Sequence, residues 1–223
     1  MRSLLPALAL LTILSSCGYH AAMTRVDDRL LMSLPIERLE PIRVAETEFA
    51  EAKDDLADAQ AADRRARQSL KLAESEMRVA GASVAQERVD LERARRRGDS
   101  AAEAVASEAY DEALRTASIA RLAVALAKRE AEVAALRTTL ARESKRLSDA
   151  RVQFEKGFAL EGVELAAGDV VSMEQFEAQV AHHEDEVRSA DRRLSTARVE
   201  MQSAREAYDA TIGGALVAAR GVD

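Results

Sequence analysis

IRVAETEFAEAKDDLADAQAADRRARQSLKLAESEMRVAGASVAQERVDLERA, residues 42–94, decides the fold. Counting in sevens from Ile42 meets Phe49, Leu56, Asp63, Leu70, Met77, Val84 and Leu91, all but one of them large and apolar. Three places further on in each heptad stand Ala45, Ala52, Ala59, Ala66, Ala73, Ala80, Glu87 and Ala94. A seam of large residues alternating with alanine, held over this many heptads, is the pattern of a long helix in a coiled coil. Alanine at every second seam position lets two backbones approach closely, which predicts tight antiparallel pairing.

The same grammar continues outward. Arg95, Arg96 and Arg97 put cations on the last turn of the first helix, and Gly98 follows as its stop. Ser100 and Glu103 have the spacing of a capping box opening a second helix. That helix carries Val105, Ile119, Leu126, Val133, Leu140, Leu147 and Phe154 on one line. Alanines at 106, 113, 120, 127, 134 and 141 form a second line, so its apolar face is broad enough for a middle helix with two neighbours. Gly157 reads as its end, and Ser172 with Gln175 as the box that opens a third helix. Met173, Val180, Val187, Leu194, Met201 and Tyr208 mark that helix until Gly213-Gly214.

The predicted fold class is all-α, an elongated antiparallel three-helix coiled-coil bundle with alanine-rich seams. Its helices span about 36–97, 101–156 and 172–212, within a rod of residues 35–212, and 213–223 form a C-terminal tail. Pairing 97 with 101 and counting away in both directions sets Lys156 opposite Ile42 and leaves the third helix short of the distal turn. At 1.5 Å per residue the first two helices are each about 85 Å long and the third about 60 Å.

Residues 1–16 carry one cation, Arg2, followed by an apolar run from Leu4 to Leu14 interrupted by Pro6 and Thr12. This is the layout of a cleaved secretory signal, too short for the roughly 20 residues that span a bilayer. Leu14-Ser15-Ser16-Cys17 closes it. That tetrad resembles the bacterial lipoprotein box, in which leucine, two small residues and the lipidated cysteine stand in this order. The resemblance implies that Cys17 becomes residue one of the mature chain, carries a diacylglycerol thioether and is N-acylated, commonly with palmitate. It also implies an envelope location, and Gly18 in place of aspartate fits the outer membrane, facing the periplasm. Two or three acyl chains anchor a protein where one holds it only marginally. Residues 17–34 would then be an anchor-proximal tether or short helix, broken at Pro35 and Pro41.

Cys17 is the only cysteine, so no intramolecular disulfide is available. The net charge of −7 becomes about −8 once Arg2 is removed, and aromatics make up only 3% of the chain. Nucleic acid is therefore not an expected partner. No phosphate loop, nucleophile elbow or carboxylate pair with a pocket is legible, so no enzyme activity and no cofactor are expected. His182-His183-Glu184-Asp185 has metal-ligating residue types, but only His182 and Glu186 share a face at four-residue spacing. Two ligands do not make a zinc site, and no metal is expected. His183, Asp63 and Glu87 sit at seam positions, where a polar residue sets register.

Two regions are candidates for interaction. Arg95, Arg96 and Arg97 at the distal tip could meet an anionic surface, although compensation of the helix C-terminus is the plainer reading. The connector 157–171 is rich in apolar residues, among them Phe158, Leu160, Val163 and Leu165, and reads as a plug or a docking element. Phe154-Glu155-Lys156-Gly157 and Val171-Ser172-Met173-Glu174-Gln175 are similar to hairpin segments of bacterial efflux adaptors and outer-membrane efflux factors. This chain lacks the lipoyl-like and barrel parts of those families, so the likeness implies only a helical rod that docks end to end. The sequence thus points to a lipid-anchored envelope scaffold, or to an accessory subunit of a transport, secretion or efflux assembly. Partners would be the membrane through Cys17 and another protein or a second copy along the helical faces. The chain ends in Gly221-Val222-Asp223 rather than lysine, which leaves only non-covalent contact with peptidoglycan open.

Overall fold

The computed structural model describes residues 24–163 and 172–220. Leu14-Ser15-Ser16-Cys17 with the rest of 1–23, Leu165 with the rest of 164–171, and the last three residues lie outside them. A 3-10 helix, η1 (Asp28–Ser33), precedes three long helices, α1 (Ile36–Arg97), α2 (Ser100–Ala159) and α3 (Met173–Arg220). Among the described residues there is no strand. The molecule is an antiparallel three-helix bundle, and its longest helix of 62 residues spans about 93 Å.

Every buried residue of α1 lies on the seam: Ile42, Ala45, Ala52, Ala73, Ala80, Leu91 and Ala94. The register agrees with the pairing read from the heptads to within one residue. Arg95 meets Glu103 near the turn, the Thr138 hydroxyl donates to the Ala59 carbonyl at 3.1 Å, and Arg38 donates to the Ala159 carbonyl at 3.0 Å. Asp63 is accounted for within its own helix, accepting from Arg67 at 3.0 Å.

Three terminators differ from the reading of the sequence. Gly98 does stop α1, in the left-handed conformation at φ 68°, but the cap of α2 is Asp99 rather than Ser100. The Asp99 carboxylate accepts from the Ala102 N–H at 3.1 Å, while Glu103 is drawn away to Arg95. An aspartate one residue nearer the turn supplies the same oxygen with full charge at the positive end of the helix. Gly157 does not end α2, which continues to Ala159; the left-handed glycine is Gly162, φ 73°. Gly157 is there for space. A Cβ on it would stand 2.9 Å from Cε2 of Phe176, a ring only 2% exposed. Nor do Gly213 and Gly214 stop α3, which runs on to Arg220 and extends the third layer toward the distal turn. Two glycines cost a helix about 2 kcal/mol, a sum that a long helix packed along α2 withstands.

α1 and α3 each pack along α2, and the close helix approaches are α1 to α2 and α2 to α3. The outer helices thus flank the middle one rather than closing a triangle. The α2–α3 core is built on Val133, Leu194 and Ala197, with Leu136, Leu140 and Met201 beside them. Val105, expected on the apolar line of α2, is 70% exposed.

Candidate functional site

With α1 and α3 on opposite sides of α2, two clefts run along the base of the rod, one on each remaining face of α2. The first is occupied by the chain itself. The Val26 N–H donates to Oε1 of Gln153 at 3.0 Å, Lys156 Nζ reaches Asp28 at 2.7 Å, and Gln179 Nε2 donates to the Thr24 hydroxyl at 2.9 Å. Arg25 adds an exposed pair to Asp149. Val26, Leu30, Leu31 and Leu34 are half-buried against the bundle. Residues 24–34 therefore form a strap that runs down the side of the rod and turns at Pro35 into α1. The short helix expected in this stretch is η1, a single 3-10 segment packed on the bundle.

The strap explains two buried polar residues that look misplaced in a heptad reading. Gln153 and Lys156 are 6% and 8% exposed. Burying an amide and an ammonium is tolerable only where both are paired, and the strap supplies the partners. Lys156 also lies 3.5 Å from Glu46, so it ties strap, α1 and α2 together.

The second cleft is open. It has a volume of about 560 Å³, and Val44, Ala45, Phe154 and Val180 line it, one or more from each helix. On a helical wheel at 100° per residue, the strap-facing positions 149, 153 and 156 and the cleft-facing positions 151, 154, 155 and 158 of α2 lie roughly 170° apart. An adjoining hollow of about 450 Å³, lined by Arg38, Phe158 and Glu161, shares Pro41 and Glu155 with it. Pro41 sits inside α1, where it has no N–H to give the Glu37 carbonyl. Phe158 stacks on Phe154, ring centres 6.3 Å apart, and remains 54% exposed.

The residues singled out from sequence are scattered by the fold. Phe158 faces the open hollow, Leu160 is 2% exposed inside the base, and Val163 is half-buried beside it, so the connector is part plug and part surface. Arg95, Arg96 and Arg97 lie at the opposite end of the rod, all exposed. Arg95 clasps Glu103 across the turn and Arg96 donates to the Glu92 carbonyl, which is how a basic C-terminal turn is normally used. His183 lies at the α2–α3 interface near Glu143 and Arg146, and its Nδ1 is buried with no hydrogen-bond partner among the described residues. Burial, and then the neighbouring His182, hold its imidazole below the usual histidine range. Among the described residues no three histidine, cysteine or acidic side chains converge on a metal position. No described helix is long and apolar enough to cross a membrane.

Reading the sequence missed the strap and the open cleft. The strap had a signal: an apolar spacing at Val26, Leu30, Leu31 and Leu34 opposite polar residues at inward positions of α2. The cleft had none, because it arises from how far apart α1 and α3 stand. No family model, no curated protein and no solved structure matches this chain.

Proposed function

We propose that the protein is a lipid-anchored lipoprotein of the bacterial envelope, held in the outer membrane by Cys17 and facing the periplasm. Its helical rod acts as a non-catalytic scaffold or interaction module. The observation that carries this reading is the joining of two features: Leu14-Ser15-Ser16-Cys17 behind an apolar leader, and a rod about 93 Å long strapped to its N-terminal segment from Thr24 onward. A lipidated cysteine only seven residues before the strap would fix one end of the rod, and the length of the rod would set its reach.

The test is metabolic labelling with an alkyne analogue of palmitate, followed by membrane fractionation of the wild-type chain and Cys17→Ser. The wild type should take up label and sediment with membranes. The variant should take up none and accumulate as unprocessed or released chain. Normal processing and membrane retention of Cys17→Ser would overturn the anchor.

A second reading, an accessory subunit of a transport, secretion or efflux assembly, draws support from Phe158, an aromatic ring left exposed at the base in the hollow it lines with Pro41 and Ala159. Photocrosslinkers placed at 158 and at 97–100 separate the two readings. Capture of a transport component from one end favours the assembly subunit; self-crosslinks alone favour a spacer.

A further inference from the structure

We propose that the open cleft between α1 and α3 is the docking groove for a basic amphipathic helix of a partner protein. This deepens the scaffold reading and rests on it, but it does not depend on lipidation of Cys17.

Three observations converge. First, the floor is apolar and reachable: Val44 is 53% exposed although it belongs to a helix of the bundle, and Phe154 and Val180 are half-buried beside it. Second, the walls are acidic. Glu37, Glu48, Glu155, Glu161, Glu177 and Glu184 line the two adjoining hollows, against only Arg38 and Arg151. Both guanidiniums are already engaged, Arg38 by the Ala159 and Glu161 carbonyls and Arg151 by Glu184 at 3.2 Å. The groove therefore offers an apolar bed with about four uncompensated carboxylates, the complement of a helix with leucines on one face and lysines or arginines flanking them. Third, the opposite cleft shows what fills such a space. There a short segment, residues 24–34, lays half-buried aliphatic side chains against the bundle and pairs its charges with Asp149 and Lys156 of α2. From Glu37 to Glu48 the groove runs about 17 Å, room for three turns of helix.

The charge of the walls decides between occupants. An anionic lipid surface or a nucleic acid would bring like charge against the rim. A second copy of this chain, at a net charge of −7, would on average do the same.

The experiment uses the full-length protein in nanodiscs of zwitterionic lipid, with a photocrosslinking residue at position 44 or, outside the groove on the same helix, at position 79. The probe is a fluorescent helical peptide of roughly 18 residues, with leucine at i, i+3, i+4 and i+7 spacing and lysine elsewhere. Position 44 should capture it saturably, and position 79 should not. A scrambled peptide without the apolar stripe, and a leucine/glutamate peptide, should each raise the half-saturation concentration about tenfold. The double variant Glu48→Lys/Glu177→Lys should do the same with its helix content unchanged, both residues being exposed. Equal capture at 44 and 79, indifference to peptide charge, or no effect of the double variant would overturn the proposal. Self-crosslinking from 44 that excludes the peptide would assign the groove to a second copy and likewise overturn it. Failure of Cys17→Ser to lose its membrane attachment would sink the anchor and leave this result untouched.

Discussion

Gly157 and Gly81 both lie in helices, and the packing around them predicts that replacing each by alanine moves stability in opposite directions. The local term favours alanine at both sites, by up to about 1 kcal/mol in a helix interior. At Gly81 nothing lies within 4 Å of where the Cβ would go, so Gly81→Ala should collect most of that term. At Gly157 the same methyl would meet Cε2 of Phe176 at 2.9 Å, Cδ2 at 3.0 Å and Sδ of Met173 at 3.3 Å. The ring is 2% exposed and cannot swing into solvent, so the first turn of α3 must shift, an overpacking cost of about 1–3 kcal/mol. Gly157 also lies in the last turn of α2, where the propensity gain is smallest. Packing therefore outweighs propensity, and a net loss of about 1–2 kcal/mol is expected. Thermal unfolding followed by circular dichroism should show Gly81→Ala melting about 2–4 °C higher and Gly157→Ala about 2–8 °C lower than wild type. If both variants melt higher by the same amount, α2 and α3 do not approach at Gly157 as described.

Asp99→Ala should cost about 1 kcal/mol as a lost helix cap, whereas Ser100→Ala should stay within about 0.5 kcal/mol of wild type. Urea titration separates them, and the reverse order would return the cap to Ser100. Leu194→Ala removes a side chain 1% exposed in the α2–α3 core and should lose about 2–5 kcal/mol, read as a lower urea midpoint; a loss under 1 kcal/mol would mean that the core collapses onto the gap. His183 supplies a pH dependence. Its folded imidazole is held below the ordinary value by burial and His182, with Arg146 adding to this and Glu143 and Glu186 opposing it. The unfolded chain therefore takes the proton first, and the stability contributed is full above pH about 6.5 and declines as pH falls below it. His183→Gln should lack this decline; wild type and variant that fall in parallel between pH 7 and 5 would refute it.

The bundle was legible because its signal is periodic and redundant. One misplaced residue, such as Asp63 or Glu87, does not erase a seam repeated from Ile42 to Ala94, and that seam sets the α1–α2 register as well. Terminators were less legible because several residues can do the same work. Asp99 and Ser100 are both capping types, one residue apart, and only the direction of the chain at Gly98 decides between them. Glycine was the least legible. Gly98 and Gly162 hold left-handed backbone, Gly157 makes room for a ring, and Gly213-Gly214 pass unnoticed through a helix; spacing alone does not distinguish these uses. The connector residues divided for a similar reason, since composition marks Phe158 and Leu160 as equally apolar while the turn of the helix exposes one and buries the other.

The strap also bears on how an anchored rod would stand. It enters beside Asp149, paired with Arg25, and hands over to α1 beside Ala159, where Arg38 is held. Along α2 that is ten residues, so the chain descends about 15 Å toward the base before α1 turns it back. Cys17 precedes Thr24 by seven residues, which reach at most about 25 Å when fully extended. If Cys17 carries the lipid, an upright rod keeps only about 10 Å between its base and the bilayer surface. A free stalk over residues 17–34 would instead have allowed about 60 Å. The pairs that bury Gln153 and Lys156 therefore do more than close a cleft: they would convert a flexible leash into a short clamp, leaving the far end with Arg95, Arg96 and Arg97 about 90 Å from the membrane.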